Sequence, residues 1–171
     1  MMAQNAGTPL FEDYPVTEVF TGKPAAPIFT RTEERQYRTV IREGVRTGYG
    51  VGMGTHLIGR PEPTFAGHFI VIRWACGSDC RMMALVDAKT GTIYQPPLGG
   101  RGNDYFAVPL MPLDDKASED FMLTSSLMIV RHACRDFKDR KTCGTYYFNW
   151  QDNRFNLVKF GVVDPLRKLI P

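Results

Sequence analysis

The chain has no apolar run approaching the roughly 18 residues that a membrane-crossing helix needs, so the sequence predicts no membrane span. It also lacks a dominant charge. Its 21 basic and 18 acidic residues leave a formal charge of +3 and are mixed along the chain. Nucleic acid as a partner is therefore not expected, because phosphate recognition needs a concentrated basic stripe. A nucleotide fingerprint is missing too. Gly52-Met53-Gly54 is not followed by Gly-Lys-Ser/Thr, and Pro61 and Pro63 stop the helix on which a phosphate would sit. Groups suited to acid–base or metal chemistry are few: three histidines, His56, His68 and His132, and four cysteines. The first residues, Met1-Met2-Ala3-Gln4, carry neither a basic n-region nor an apolar h-region, so no signal peptide is read there.

What the chain does have is apolar residues at 43% and aromatic residues at 12% of 171 positions, enough for one domain with its own core. The organising stretch is Phe65 to Gly91. From Gly67 to Cys76 the pattern alternates, with His68, Ile70, Ile72 and Trp74 on one face and Phe69, Val71, Arg73 and Ala75 on the other. Both faces are mostly apolar, which predicts a strand covered on two sides by a helix and a second layer. Residues 81 to 87 form the return strand, with Gly77-Ser78-Asp79 as a three-residue loop. Cys76 and Cys80 then face each other. Antiparallel partners stand about 4.5–5.5 Å apart, inside the roughly 4.4–6.8 Å window for a disulfide. Asp87-Ala88-Lys89-Thr90-Gly91 reads as a turn into a third strand at Thr92-Ile93-Tyr94.

Cys134 and Cys143 repeat this logic over a longer loop, each at the end of an expected strand. A bridge between them would present Arg135-Asp136-Phe137-Lys138-Asp139-Arg140-Lys141-Thr142, four basic and two acidic residues around one Phe. That composition suits an acidic protein surface. Arg135, Phe137, Lys138 and Arg140 are the candidate contacts, with Ser125 and Ser126 as a second loop. Two disulfides imply the periplasm or the outside of the cell. With no signal peptide in the sequence, that expectation requires a start at a processed end; the alternative is a cytosolic chain with reduced thiols.

Around this centre, residues 1 to 28 form an extended, proline-punctuated arm, laid on the domain through Phe11, Tyr14, Val19 and Phe20, and residues 29 to 171 form a single β-rich domain. Thr30 and Glu33 fit a capping box. Tyr37, Val40, Ile41 and Val45 then make the apolar stripe of one helix over residues 31 to 46. Residues 47 to 64 read as a glycine-rich loop. Tyr105 to Val108 reads as an edge strand, because Pro109 and Pro112 follow. Asp114, Asp115, Glu119 and Asp120 read as a solvated acidic face. Strands follow at Phe121–Leu123 and Leu127–Ala133, and a hairpin pairs residues 145–150 with 154–160. The tail from 161 to 171 reads as irregular.

Catalysis finds little support. A zinc site from Cys76, Cys80 and His132 would need paired Cys knuckles, and only one pair has that spacing. A cysteine nucleophile with His68 or His132 as base needs a free thiolate, which a bridge removes. No cofactor is expected.

The strings Phe65-Ala66-Gly67-His68-Phe69, Trp74-Ala75-Cys76-Gly77-Ser78-Asp79-Cys80 and Asp87-Ala88-Lys89-Thr90-Gly91 resemble a group of small, mostly uncharacterised exported bacterial proteins. Residues 125–130 and 146–150 are similar to that group's distal half. Thr64, where Asn is usual, and Ala75, where Gly is usual, depart from it. The resemblance implies export and a sheet reminiscent of incomplete propeller blades.

The sequence thus predicts a mainly β fold of six to eight strands, an antiparallel meander or incomplete propeller-like sheet with one covering helix. The expected function is a periplasmic or secreted binding or inhibitory protein. Its partner is then a protein, such as a cell-wall hydrolase blocked by an immunity-type inhibitor. The alternatives are a metal-dependent or hydrolytic enzyme using the histidines, and a structural envelope module.

Overall fold

A computed structural model describes residues 7–47, 62–77, 80–99, 105–109 and 118–162, with Cys76, Gly77 and Cys80 described by their backbone alone. The readings of His56 and the glycine-rich stretch 48–61, of Ser78 and Asp79, of Asp114 and Asp115, and of the tail beyond Val162 lie outside these residues.

Among the described residues, eight strands form two four-stranded antiparallel sheets. In the first, β1 (Phe69–Gly77) pairs with β2 (Cys80–Asp87). Two short strands share the other edge of β2: β3 (Ile93–Tyr94) pairs at Leu85 and Val86, and β4 (Ala107–Val108) at Arg81 and Met82. The second sheet is a meander of β5 (Ser118–Phe121), β6 (Leu127–Cys134), β7 (Cys143–Gln151) and β8 (Arg154–Val162).

The two-faced reading of β1 holds. Phe69 and Val71 enter a core shared with Met128, Val130, Tyr146 and Phe148 of the second sheet. Ile70, Ile72 and Trp74 enter another core, with Ile41 and Val45 of the helical segment. A strand apolar on both faces thus lies between two layers, as period-2 alternation requires. On the outer side of the second sheet, Leu127, Ile129 and Tyr147 are covered by Phe11 and Tyr14 of the arm. Within β6, Met128 and Val130 point inward, and so does Ala133 despite its odd spacing. A register irregularity between Val130 and Ala133, with His132 at φ 51, inserts one residue and restores the inward direction.

The covering helix is two helices. α1 (Thr32–Gln36) and α2 (Arg38–Thr47) meet at Tyr37, whose ring rests on Trp74 and Phe106 at 5.3 and 5.9 Å. The cap also differs from expectation. Arg31 is the N-cap, one residue later than Thr30, so the residue that reaches back is Glu34 and not Glu33. Its Oε2 accepts the amides of Thr30 and Arg31 at 2.6 and 2.9 Å. Gly44 lets α2 approach β1 closely, since a Cβ there would stand 2.4 Å from the Ile72 side chain.

The arm is strapped to both sheets. Val16 N donates to Thr124 O, Phe20 N to Gly67 O, Ala25 N to Ala88 O and Ile28 N to Gly91 O. Of the four arm residues expected to pack, Phe11, Tyr14 and Phe20 do so, while Val19 is exposed.

The acidic stretch is corrected at Glu119. Ser118–Phe121 is strand, one turn earlier than expected, and the Glu119 side chain is only 1% exposed. Arg81 approaches its Oε2 at 2.9 Å and Arg73 at 3.7 Å, so this carboxylate clamps the two sheets together instead of facing water. No helix among the described residues is long and apolar enough to cross a membrane.

Candidate functional site

Cys134 and Cys143 are register partners at the ends of β6 and β7 and form a disulfide, with Cα atoms 3.9 Å apart. The eight residues between them are held by their own short-range chemistry. Asp136 and Asp139 accept the amides of Lys138 and Lys141 at 2.9 and 3.1 Å, as Asx turns do. Thr142 ties the loop shut: its Oγ1 accepts Asp136 N and donates toward the carbonyls of Asp136 and Asp139, while its own carbonyl accepts Arg135 N and the Tyr146 hydroxyl. Both carboxylates therefore serve the loop's backbone. Arg135, Lys138, Arg140 and Lys141 are exposed, and none of the four forms an ion pair among the described residues. Phe137 stands among them at 52% exposure.

Ser125 and Ser126 do not join this surface. They precede β6, whose eight residues span about 23 Å at roughly 3.3 Å per step, and the bridged loop follows it. Ser125 is buried, its hydroxyl directed to the carbonyls of Phe11 and Tyr14 at 2.9 and 3.1 Å. Ser126 Oγ meets Asn149 Oδ1 at 2.7 Å. Ser125 is thus an anchor for the arm, which corrects its reading as a contact residue.

At the other cysteine pair the register places Cys80 opposite Gly77, with an irregularity after Ala75, so Cys76 and Cys80 are not direct backbone partners. Their side chains, and with them the expected bridge, lie outside the described residues.

The two described histidines stand on separate elements. His132 is at the irregularity of β6, and His68 sits on the turn before β1, because Ala66 at φ 45 and Gly67 at φ 77 fold Phe69 N back onto Phe65 O. Burial pushes the His68 imidazole below its usual range, with Asp87 opposing that shift. Its ring lies 4.2 Å from that of Phe69. Among the described residues no three His, Cys, Asp or Glu side chains gather to hold a metal ion.

A second concave region was not legible in the sequence. It is a cleft of about 550 Å³ between the start of α1, the segment after β3 and the β7–β8 hairpin. Tyr94, Tyr105, Trp150 and Phe155 line it, with Gln95, Asn153, Arg31 and Arg154 as polar groups. Burial raises the Tyr94 and Tyr105 phenols above their ordinary range. The only local signal was aromatic content at the hairpin, which a core would explain equally well. Comparison of the chain with family models, curated proteins and solved structures gives no match.

Proposed function

We propose that this protein is an exported binding protein that uses the bridged loop 135–142 to dock on an acidic protein surface. Its partner is a cell-wall-degrading enzyme, which it holds inactive in the manner of an immunity protein. One observation carries the reading: Phe137 is exposed at the tip of a loop locked by the Cys134–Cys143 disulfide and by the Thr142 hydrogen bonds. A loop fixed in this way loses little conformational entropy on docking, so more of its contact energy appears as affinity. Aromatic residues and arginine are also enriched at protein interfaces, and the loop offers both in Phe137, Arg135 and Arg140. With four basic residues against Asp136 and Asp139, the loop carries a net positive charge that suits an acidic cleft. The disulfide supports an oxidising compartment, and the sequence resemblance to exported bacterial proteins agrees with it.

The test is inhibition. The oxidised protein is titrated into lysozyme-type, amidase-type and endopeptidase-type hydrolases from the envelope of the same organism, each turning over purified peptidoglycan. Stoichiometric inhibition of one of them is expected, weakened at least tenfold by Phe137→Ala and by Arg140→Glu, as removal of a central anchor residue does. Full turnover by all of them, or inhibition that both variants retain, overturns the proposal.

A further inference from the structure

The aromatic cleft lies at the far end of β7 from the bridged loop. Cys143 opens that strand and Trp150 is next to its last residue, a separation of about 23 Å along an extended chain. Its volume of about 550 Å³ falls within the roughly 300–1,000 Å³ typical of small-molecule sites. We propose that this cleft binds a short acidic saccharide, with the sugar ring on Trp150 and its carboxylate toward Arg154 and Arg31.

The aromatic wall supplies a flat apolar surface held in place. Trp150 meets Phe69, Tyr94 and Phe155 at interplanar angles of 71°, 81° and 73°, so none of these rings lies stacked flat on the indole. Behind it, Phe155 stacks on Phe65 of the central core, which fixes the wall from inside. A pyranose has the matching shape: C–H groups on one face and hydroxyls around the edge.

The rim supplies planar hydrogen-bonding groups for such an edge. Gln95, Asn153 and Arg154 are exposed, and the Tyr94 hydroxyl reaches Asn153 Oδ1 at 3.4 Å. Charge then selects among saccharides. Among the described residues one carboxylate lines the cleft, that of Glu34, and it accepts the amides of Thr30 and Arg31. Arg31 lies over the Tyr105 ring at 5.4 Å, and neither Arg31 nor Arg154 forms an ion pair among the described residues. Two guanidiniums against the single Glu34 carboxylate leave the described lining net positive beside an aromatic floor, which favours a carboxylate-bearing ligand that arginine holds with two parallel hydrogen bonds.

A nucleotide fits less well. Phosphate cradles are built from converging backbone amides, and Pro96 and Pro97 in the segment facing the cleft have none to offer. Beside it, Gly99 N donates to Pro96 O across a turn whose third residue, Leu98, has φ 66. The turn is thereby held in one shape at the mouth of the cleft.

The experiment uses tryptophan emission. The chain has two tryptophans, of which Trp74 is buried and Trp150 lines the cleft. The probes are a GlcNAc–MurNAc disaccharide, which carries a carboxylate, neutral chitobiose, and AMP. The acidic disaccharide is expected to change the emission saturably and to bind about 2–5-fold more tightly than chitobiose, the range of one exposed ion pair. Arg154→Ala should reduce that preference, with Arg31 left to hold part of it, and Gln95→Ala should weaken both sugars, with unchanged melting temperatures because both positions are exposed. Phe137→Ala should bind sugar as the wild type does, so failure of the inhibitor reading would leave this result standing. No saturable change with either sugar at millimolar concentration, a preference undiminished in Arg154→Ala, or tighter binding of AMP overturns the proposal.

Discussion

The carbonyl oxygen of Glu18 lies 2.2 Å from the position a Cβ on Gly67 would occupy. The same relationship recurs at Gly91, where the carbonyl of Ala26 lies 2.1 Å from such a Cβ, and both glycines have positive φ. The two turns at residues 65–69 and 87–91 are therefore seats for the N-terminal arm. Asp87 completes the second seat by accepting Lys89 N at 2.8 Å and the Thr90 hydroxyl at 3.0 Å.

Gly67→Ala should lose about 1–3 kcal/mol from backbone strain and displacement of the arm. Urea unfolding measures the loss. Limited proteolysis should cut the variant between residues 7 and 28 under conditions where the wild type is intact. An unchanged midpoint together with an uncut arm would contradict this account of the turn.

The clamp at Glu119 predicts an asymmetry. Arg81→Met leaves a buried carboxylate facing only Arg73 at 3.7 Å, whereas Glu119→Gln leaves two arginines that are 34% and 37% exposed and can be hydrated. The arginine variant should cost about 2–3 kcal/mol, less than a fully buried pair because Arg73 remains, and the glutamine variant about 1 kcal/mol. Denaturant midpoints of the two variants give the order directly.

His68 should make stability depend on pH. Its folded-state pKa is depressed by burial, so the unfolded chain binds the proton more readily. Stability is then highest above the unfolded imidazole pKa, near about 6.5, and falls as the pH drops through that value toward the lower folded one. Comparing urea midpoints at mildly alkaline and mildly acidic pH should show the fall, and His68→Gln should reduce it.

Replacing Cys134 and Cys143 by serine should lower stability by about 2–3 kcal/mol on the loop-entropy account of so short a ring. Hydrogen exchange should quicken at the amides of Lys138, Lys141 and Thr142, which are hydrogen-bonded within the bridged loop. Unchanged protection at those amides would place the loop's rigidity in its hydrogen bonds alone.

The cleft and the Glu119 clamp were illegible for a common reason. In sequence, Glu119 belongs to an acidic, hydrophilic run, and the approach of Arg81, 38 positions away, together with Arg73, makes its burial tolerable. Ser125 reads as a loop serine until Phe11, 114 positions earlier, brings its carbonyl to the hydroxyl. Tyr94 and Trp150 each look like ordinary sheet aromatics, and they become one wall because the two sheets stack.

The sequence by itself determined the two-faced strand β1, the β7–β8 hairpin with Asp152 and Asn153 at its turn, and the pairing of Cys134 with Cys143. These depend on side-chain alternation and turn chemistry, which act between residues close in the chain. Tertiary structure alone decided where the arm lies, which carboxylate is buried and where the aromatic cleft opens. Those outcomes depend on distant segments meeting, and no local period encodes which surfaces will meet.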